Sequence, residues 1–394
     1  MRWRGAIRSP SKAFFPDMRR TVVSIADIAA ADWDRLANPQ GSPFNPLVSH
    51  AFFLALEKSG SATPRTGWAG RHQVLRDSAG GIAGIAPCYL KTHSRGEYVF
   101  DHGWAEAFTR AGGRYYPKLQ AAVPFTPVTG PRLFAATAEM RAELAKGLIA
   151  QCTEDRASSV HITFLSEGEC GELSSEQWLK RTDIQFHWHN NGYTGFEDFL
   201  ASLSSQKRKN IRKERERVRA AGISLRQLTG RDITEAYWDR FFKFYMETGS
   251  RKWGSPYLTR DFFSLIGESL GDRILLVMAE REGRIIAGAL NFIGSDALYG
   301  RNWGAIEHHD CLHFEASYYQ AIDFAIASKL ARVEAGAQGP HKLARGYLPQ
   351  TTYSLHYLAH PGLSRAVADY LEAERAGVDN EREALASHSP FRHI

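Results

Sequence analysis

The stretch Phe314-Glu-Ala-Ser-Tyr-Tyr-Gln-Ala-Ile-Asp-Phe-Ala-Ile-Ala-Ser-Lys-Leu-Ala-Arg-Val-Glu-Ala335 joins an amphipathic helical pattern, residues 314–330, to a short strand pattern, residues 331–335. Apolar residues recur every three or four positions in the first part, which predicts a helix with one buried face. The same order occurs in the first half of the chain, where residues 137–156 predict a helix and residues 160–165 predict a strand. The chain therefore shows the signature of two similar halves.

Other elements repeat in the same order. Strand patterns precede the long helix of each half at 82–90 and 98–101, and at 285–293 and 297–303; each half then closes on a further strand candidate, at 184–189 and 353–358. Interleaved strands and helices predict mixed α/β layers. Asn190-Asn-Gly192 has strong turn chemistry and marks the boundary. We expect a first domain at 23–190 and a second at 193–394.

Positive charge is concentrated at the start of the chain. The first twenty residues carry six basic residues against Asp17, a net charge of +5, whereas the whole chain has a formal net charge of +6. Pro10 and Pro16 interrupt any amphipathic helix there, so we interpret residues 1–22 as a basic disordered tail, with Met18 as an alternative start. Because the body is nearly neutral, global charge gives little support for a nucleic-acid partner.

Cysteine usage and hydropathy narrow the class of protein further. The four cysteines have no CxxC spacing, which favours neither a zinc ribbon nor a disulfide scaffold. No apolar run approaches the ~20 residues that cross a bilayer. We therefore expect a cytoplasmic protein without a membrane span. The sequence does not indicate its oligomeric state.

Polar side chains and glycines follow the strand pattern at 331–335. The run from Glu334 to Pro349 reads Glu-Ala-Gly-Ala-Gln-Gly-Pro-His-Lys-Leu-Ala-Arg-Gly-Tyr-Leu-Pro. A pleated core needs apolar side chains, and glycine lets backbone approach a ligand closely, so this composition predicts a binding site. A polar loop with incidental charges is the alternative. The candidate binding residues are Gly336, Gln338, Gly339, His341, Lys342 and Arg345.

A strongly basic segment follows the domain boundary at 204–222. Ser204 or Ser205 can cap a helix there, and Gly222 lies where a terminating glycine belongs. Ile211 and Val218 share one face and should pack on the domain. The exposed cations indicate either a solvated charged helix or an electrostatic wall for a phosphorylated ligand. The arginines on one face are Arg208, Arg212, Arg215 and Arg219.

Residues 300–315 join a strand end to a helix start. Such a junction directs backbone N–H groups and the positive helix end toward a pyrophosphate or a developing oxyanion. His313 and Glu315 are candidates for proton transfer. The spacing of His308, His309 and Asp310 matches no metal motif, and we predict no metal. Cys311 lacks an assigned base and is the weaker candidate for an acyl-carrying nucleophile.

These segments resemble the FemAB-like family of bacterial proteins, which is related to the GNAT superfamily. The resemblance covers residue 25 to the C-terminus and rests on long motifs in a consistent order. They include Asn45-Pro-Leu-Val-Ser-His-Ala-Phe, Gly96-Glu-Tyr-Val-Phe-Asp-His-Gly-Trp-Ala, Tyr115-Tyr-Pro-Lys-Leu-Gln, Pro124-Phe-Thr-Pro-Val-Thr-Gly-Pro-Arg, Gln185-Phe-His-Trp, Ser204-Ser-Gln-Lys-Arg-Lys-Asn-Ile-Arg-Lys-Glu, Leu298-Tyr-Gly-Arg-Asn-Trp-Gly, Leu312-His-Phe-Glu and Glu334-Ala-Gly-Ala-Gln-Gly-Pro-His-Lys.

The resemblance implies tandem GNAT-like (acyl-CoA N-acyltransferase) domains, an α/β fold of mixed sheets flanked by helices, as in the Fem aminoacyltransferases of peptidoglycan. Some relatives in the superfamily use acyl-CoA, and the Fem enzymes use aminoacyl-tRNA. The usual GNAT pyrophosphate loop, Gln or Arg followed by Gly-x-Gly/Ala, has no match in this chain. The fold does not transfer the donor or the acceptor.

The resulting hypothesis is an N-acyltransferase in which an amine attacks a thioester or ester directly, with acyl-CoA as the expected donor and aminoacyl-tRNA as the other. Glu315, His313 or Glu334 would take the ammonium proton. Arg301, Lys342 and Arg345, with backbone at Gly336 and Gly339, would hold the donor. Trp303, Gln338, His341, Trp104, Arg208 and Arg212 would contact a small-molecule amine. The alternative is a non-catalytic GNAT-like protein that binds a phosphorylated or nucleotide-linked metabolite.

Overall fold

The computed structural model describes residues 19–253, 256–337 and 339–392. Its strands are β1 Arg19–Val22, β2 Trp68–Gly70, β3 His72–Arg76, β4 Ile82–Ala86, β5 Tyr89–Lys91, β6 Lys118–Ala121, β7 Phe134–Ala135, β8 Ser159–Leu165, β9 Leu179–His189, β10 Ile223–Thr229, β11 Ile274–Arg281, β12 Arg284–Ile293, β13 Ala297–Ala305, β14 Arg332–Ala337 and β15 Leu348–Leu358.

The helices lie on the faces of these strands. They are α1 Ala30–Ala37, α2 His50–Lys58, α3 His102–Arg110, α4 Ala138–Glu154, α5 Glu167–Leu173, α6 Phe196–Ser202, α7 Ser205–Ala220, α8 Glu235–Trp253, α9 Arg260–Leu270, α10 Leu312–Phe314, α11 Gln320–Ala327 and α12 Pro361–Ser387. A π-helical turn, Glu315–Tyr319, joins α10 to α11. Within the described residues, no helix combines the length and the apolar character that crossing a bilayer requires.

One sheet of eleven strands runs through both halves in the order β10-β11-β12-β13-β14-β9-β15-β8-β6-β5-β2. The last strand of each half is inserted into the other half: β9 lies between β14 and β15, and β15 lies between β8 and β9. The predicted mixed α/β class with two repeated halves is therefore confirmed. The halves nevertheless do not form separate sheets, because each completes its hydrogen bonding with a strand of the other.

Apolar packing also joins the halves. Phe52 of α2 makes edge contacts with Phe262 of α9 and Phe292 of β12, at ring-centroid distances of 5.8 Å and 5.4 Å. On the opposite face of the sheet, Trp188 of β9 is fully buried beside Phe199 of α6. Burial of rings this large gives much of the hydrophobic stabilisation of a fold. The first half therefore packs directly against the strands that carry the candidate site.

Several predicted elements are confirmed and others are wrong. The basic helix begins and ends as predicted, with Ser204 at the N-cap position, Gly222 at φ 71°, and Ile211 and Val218 buried. Residues 98–101 do not form a strand, and the run at 82–90 divides into β4 and β5, which belong to different sheets. Pro87, which has no backbone N–H for a ladder, separates these two strands.

The predicted boundary of the basic tail is also corrected. Residues 19–22 form β1, which pairs antiparallel with β3, and Val22 is buried in the core. Backbone pairing and this buried side chain fix the segment in place. The remainder of the predicted tail, residues 1–18, lies outside the described residues.

Separation of the two halves is expected to prevent folding of the second half. A fragment of residues 193–394 lacks β9, so β14 and β15 lose the strand between them and expose unpaired backbone groups. We expect this fragment to show no cooperative urea unfolding by circular dichroism, and co-expression with residues 19–190 to restore a complex that unfolds cooperatively. A fragment 193–394 that unfolds cooperatively by itself would contradict this dependence.

Candidate active site

The parallel strands β13 and β14 separate part of the way along their length. They pair only where residues 297–299 face residues 332–334, although β13 continues to Ala305 and β14 to Ala337. Arg301 is a bulge residue, because its neighbours Gly300 and Asn302 pair with consecutive residues of β12. A cavity of about 90 Å³ lies at the separation, with residues of both strands in its lining. The gap therefore places backbone of two strands beside a small cavity.

A larger cleft of about 440 Å³ adjoins this gap and lies between the two halves. The first half contributes one wall from residues 94–102, and the second half contributes side chains from α8, β13 and α10. The cleft and the smaller cavity share Arg301, Asn302, Trp303 and His313. No aspartate or glutamate occurs among the described residues that line the cleft. The described lining comprises Ser94, Arg95, Gly96, Tyr98, Phe100, His102, Tyr245, Thr248, Gly249, Pro256, Tyr257, Arg301, Asn302, Trp303 and His313.

Arg301 is the guanidinium shared by both openings. It donates a hydrogen bond to the carbonyl oxygen of Phe125, and it forms no ion pair with any described carboxylate. Burial lowers its pKa, an effect that the neighbouring Tyr98 hydroxyl partly offsets. A cation held in a partly desolvated site without a counter-ion attracts an anionic ligand. Of the cations predicted to bind a donor, Arg301 is the one placed in the cleft.

His313 is the candidate base that lies in the cleft. Its ring is 5.3 Å from the ring of Trp303 and 5.3 Å from that of Tyr318. Trp303 lines the cleft as well. The predicted ligand residue His341 is nearby, where its Nε2 lies 3.1 Å from the Tyr318 hydroxyl. These rings form one polar and aromatic group beside the strand separation.

The two candidate carboxylates are placed differently from the prediction. Glu315 is buried and accepts a hydrogen bond from Arg215 at 3.0 Å, and Glu334 is buried and accepts one from Arg332 at 2.9 Å. Neither carboxylate lines the cleft. Burial raises the pKa of Glu334, and Arg332 partly offsets that rise. Each carboxylate stabilises an ion pair within the fold, because a buried charge needs a partner.

Two predicted donor-binding cations also have partners within the protein. Lys342 donates to the carbonyl oxygens of Ala335 and Gly336, at 2.7 Å and 3.1 Å, and burial lowers its pKa to about 8. Arg345 pairs with Glu214 at 2.7 Å and lies 3.4 Å over the Phe314 ring. Lys342 thus binds the end of β14, and Arg345 ties the segment after β14 to α7.

The glycines of this loop have the conformations that the composition predicts. Gly336 has φ 72° and Gly339 has φ 112°, a region where a side chain is strained. A Cβ at Gly339 would lie 2.4 Å from the His341 ring. Gln338 lies outside the described residues. The loop therefore requires glycine at a point of close approach to His341.

Three further candidates lie away from the cleft. Trp104 packs on His161 of β8 and His356 of β15, at ring distances of 6.3 Å and 5.0 Å. His161 and His356 are paired residues of β8 and β15. In the same way, Glu334 and His187 are paired residues of β14 and β9. Arg208 and Arg212 lie on α7, where Arg212 pairs with Glu197.

Several cleft residues were missed by the sequence reasoning. Arg95, Tyr98, Tyr245, Tyr257 and Asn302 were not predicted to bind a ligand, although all line the cleft. For Tyr98 a signal was present, since it lies inside one of the motifs that carry the family resemblance. Tyr245 and Tyr257 gave no local signal, because aromatic residues at helical spacing usually indicate core packing.

The repeated halves and the separated parallel strands define a GNAT-like fold, and the predicted fold class is confirmed. The family model of FemAB-like proteins, described as peptidoglycan biosynthesis/recognition, matches residues 24–393. The chain belongs to the FemAB-like family, as its motifs indicated. No curated protein sequence matches the chain.

Solved structures support the fold at low sequence identity. FemX is 11% identical, with 86% of this chain and 98% of that chain covered at a TM-score of 0.55. The C-terminal domain of a putative lysylphosphatidylglycerol synthetase from Agrobacterium fabrum is 7% identical, covers 88% and 96%, and has a TM-score of 0.51. A conserved protein of unknown function from Bacteroides thetaiotaomicron is 12% identical, covers 84% and 98%, and has a TM-score of 0.50. These similarities concern the fold alone.

Replacement of Glu315 should reduce stability. The variant Glu315→Gln leaves the half-buried Arg215 with Asp323 as its remaining acid, so we expect a loss of about 1–3 kcal/mol in the free energy of unfolding measured in urea. Glu216→Gln is the matched control, because its pair with Arg219 is exposed and should change stability by no more than about 0.5 kcal/mol. Equal stability of Glu315→Gln and wild type would contradict a structural role for this carboxylate.

Proposed function

We propose that this protein is an N-acyltransferase that transfers an acyl or aminoacyl group to an amine, with the amine in the cleft and the donor carbonyl at the separation of β13 and β14. The observation that carries this proposal is the direct opening of the strand separation into a cleft with Arg301 and His313 at their junction. Membership of a family described by peptidoglycan biosynthesis/recognition supports it. FemX and the C-terminal domain of the putative lysylphosphatidylglycerol synthetase have similar folds.

The reaction needs few protein groups. The amine nitrogen attacks the carbonyl carbon, a C–N bond forms, and the C–S or C–O bond of the donor breaks. The attacking nitrogen gives up one proton to a base, and the leaving thiolate or alkoxide takes up one proton. Holding the two reactants in line can contribute up to about 7–11 kcal/mol in ideal intramolecular cases, and a base contributes about 10²–10⁴ in rate. No covalent enzyme intermediate is required.

We assign the proton acceptor to His313. It lies at the junction of the cleft and the strand separation, where the two reactants would meet. The other two candidates, Glu315 and Glu334, are engaged with Arg215 and Arg332 outside the cleft.

The charge of the cleft constrains the acceptor. Arg95 and Arg301 line it without any carboxylate among the described lining residues, which favours a ligand with a carboxylate or phosphate group. The same positive environment disfavours an ammonium ion and so promotes the neutral, nucleophilic amine. We therefore propose an acceptor that carries both an amine and an anionic group.

The donor is acyl-CoA or aminoacyl-tRNA. Residues 306–311, which directly precede α10, include Glu307 and Asp310. Their carboxylates are a poor match for a CoA pyrophosphate, because both groups are negatively charged. Asp310 lies 3.6 Å from Arg217 of α7. The basic helix α7 is thus adjacent to this loop, and its other exposed cations suit a polyanion such as tRNA. This arrangement favours the tRNA donor over acyl-CoA.

Transfer is tested with purified protein, acetyl-CoA, longer acyl-CoAs or charged tRNA, and amines that do or do not carry a carboxylate or phosphate. Product formation is measured by mass spectrometry. We expect His313→Asn to lower kcat by about 10² or more and Arg301→Gln to raise the acceptor KM by about tenfold. Matched controls are Arg365→Gln on α12 and His388→Asn directly after it, far along the chain from the cleft residues.

Two results would contradict the proposal. If the protein forms no product with either donor class but binds an anionic ligand through Arg301, it is a binding protein. If product forms and His313→Asn matches wild type, His313 is not the base. With charged tRNA, binding should weaken steeply as salt rises, because phosphate contacts release counterions.

A further inference from the structure

The first-half wall of the cleft alternates between buried and exposed side chains. Glu97, Val99 and Asp101 are buried, whereas Tyr98 and Phe100 line the cleft. Phe100 is 49% exposed. Residues 97–101 therefore present charged side chains to the interior of the first half and aromatic side chains to the ligand, although they form no strand.

The buried side of this wall ends in a cluster of four charged groups. Nζ of Lys118 lies 2.6 Å from Oε2 of Glu97 and also bonds the carboxylate of Asp101. Nζ of Lys91 lies 3.8 Å from Oε1 of Glu97 and donates to the carbonyl oxygen of Arg95 at 3.2 Å. The Tyr115 hydroxyl donates to Asp101 at 2.7 Å. All four side chains are buried. Burial lowers the pKa of Lys91 to about 7 and raises that of Glu97 to about 7, so the firm ion pair of the cluster is Lys118 with Asp101.

The charges at the centre of this cluster persist at neutral pH. For Asp101, burial alone would raise the pKa, but Lys118 and His161 outweigh it and hold the pKa well below its usual range. For Lys118, burial alone would lower the pKa, but Glu97 and Asp101 outweigh it and raise the pKa. A buried pair of this kind binds strongly only in one geometry, so it fixes the positions of the chains that carry it.

The wall is also strained where it faces the cleft. Gly96 has φ 82° and Tyr98 has φ 61°, and positive φ is uncommon for a residue other than glycine. A Cβ on Gly96 would lie 2.6 Å from the Phe125 ring, and the Phe125 N–H donates to the Gly96 carbonyl at 3.1 Å. Arg301 donates to the carbonyl of the same Phe125. Strained backbone persists only where surrounding contacts over-determine it.

We infer that the cluster of Lys91, Glu97, Lys118 and Asp101 is a positioning device for ligand recognition: it holds the Tyr98 wall of the first half against Arg301 of the second half. The inference rests on the proposed function of the cleft. It assigns the first half a role in recognition through buried residues that never touch the ligand. Removal of one charge should loosen residues 94–102 and weaken ligand binding without unfolding the sheet.

The first test measures amide hydrogen exchange by mass spectrometry in the full chain and needs no ligand. We expect Asp101→Asn to speed exchange across residues 94–102 about tenfold or more, with β9 and β15 unchanged. Glu169→Gln is the matched control, because this buried acid accepts the backbone N–H groups of Arg132 and Leu133, away from the cleft. Its effect should be confined to its own surroundings. Unchanged exchange at 94–102 in Asp101→Asn would overturn the inference.

The second test measures binding of inorganic pyrophosphate by calorimetry. Asp101→Asn should raise the Kd about fivefold or more, Arg301→Gln should raise it further, and Glu169→Gln should leave it unchanged. A Kd for Asp101→Asn equal to that of wild type overturns the positioning role. Absence of pyrophosphate binding to wild type overturns the anion site in the proposed function, while the exchange experiment still decides the positioning role. If Asp101→Asn does not fold, Tyr115→Phe removes one hydrogen bond to Asp101 and should give the same changes to a smaller extent.

Discussion

The structure depends on the exchange of the final strand of each half. β9 supplies hydrogen bonds to β14 and β15, and β15 supplies them to β8 and β9, so neither half has a complete sheet alone. Main-chain pairing of this extent fixes the relative position of the halves, because a shift of one residue would reverse every side chain between the faces. Both halves can then contribute side chains at fixed positions to the cleft between them.

The charged residues around the cleft divide into an acidic group inside the protein and a basic group that faces the cleft. Acids lie on the protein side of the cleft walls, where Glu97 and Asp101 bind Lys118 and Glu315 binds Arg215. The ligand side carries Arg95, Arg301, imidazoles and aromatic rings. Since Glu97, Asp101 and Glu315 are paired with cations within the fold, the cleft keeps a positive character that the near-neutral body of the sequence does not reveal. The positive charge of the cleft is therefore apparent only in the folded chain.

The sequence predicted features that depend on local order. Helix α7 was predicted with its end positions because serine before a helix and glycine after it are local signals, and the repeated helix and strand patterns predicted the fold class. The strand exchange was not predicted, since periodicity does not report which strands pair. Glu315 and Glu334 were interpreted as bases because the sequence does not show their ion pairs. The pair of Glu315 with Arg215 joins residues distant in sequence, and the pair of Glu334 with Arg332 depends on side-chain orientation. Residues 98–101 were wrongly assigned to a strand because the contacts that hold this segment are also distant in sequence.

The central claim is that one ligand site is built from both halves. Hydroxyl-radical footprinting with mass spectrometry measures it directly, with the full chain in the presence and absence of a saturating amine acceptor that the transfer assay identifies. The account predicts simultaneous protection of Tyr98 and Phe100 in the first half and of Trp303 and His313 in the second half. Protection confined to one half, or protection outside the cleft, would contradict the account.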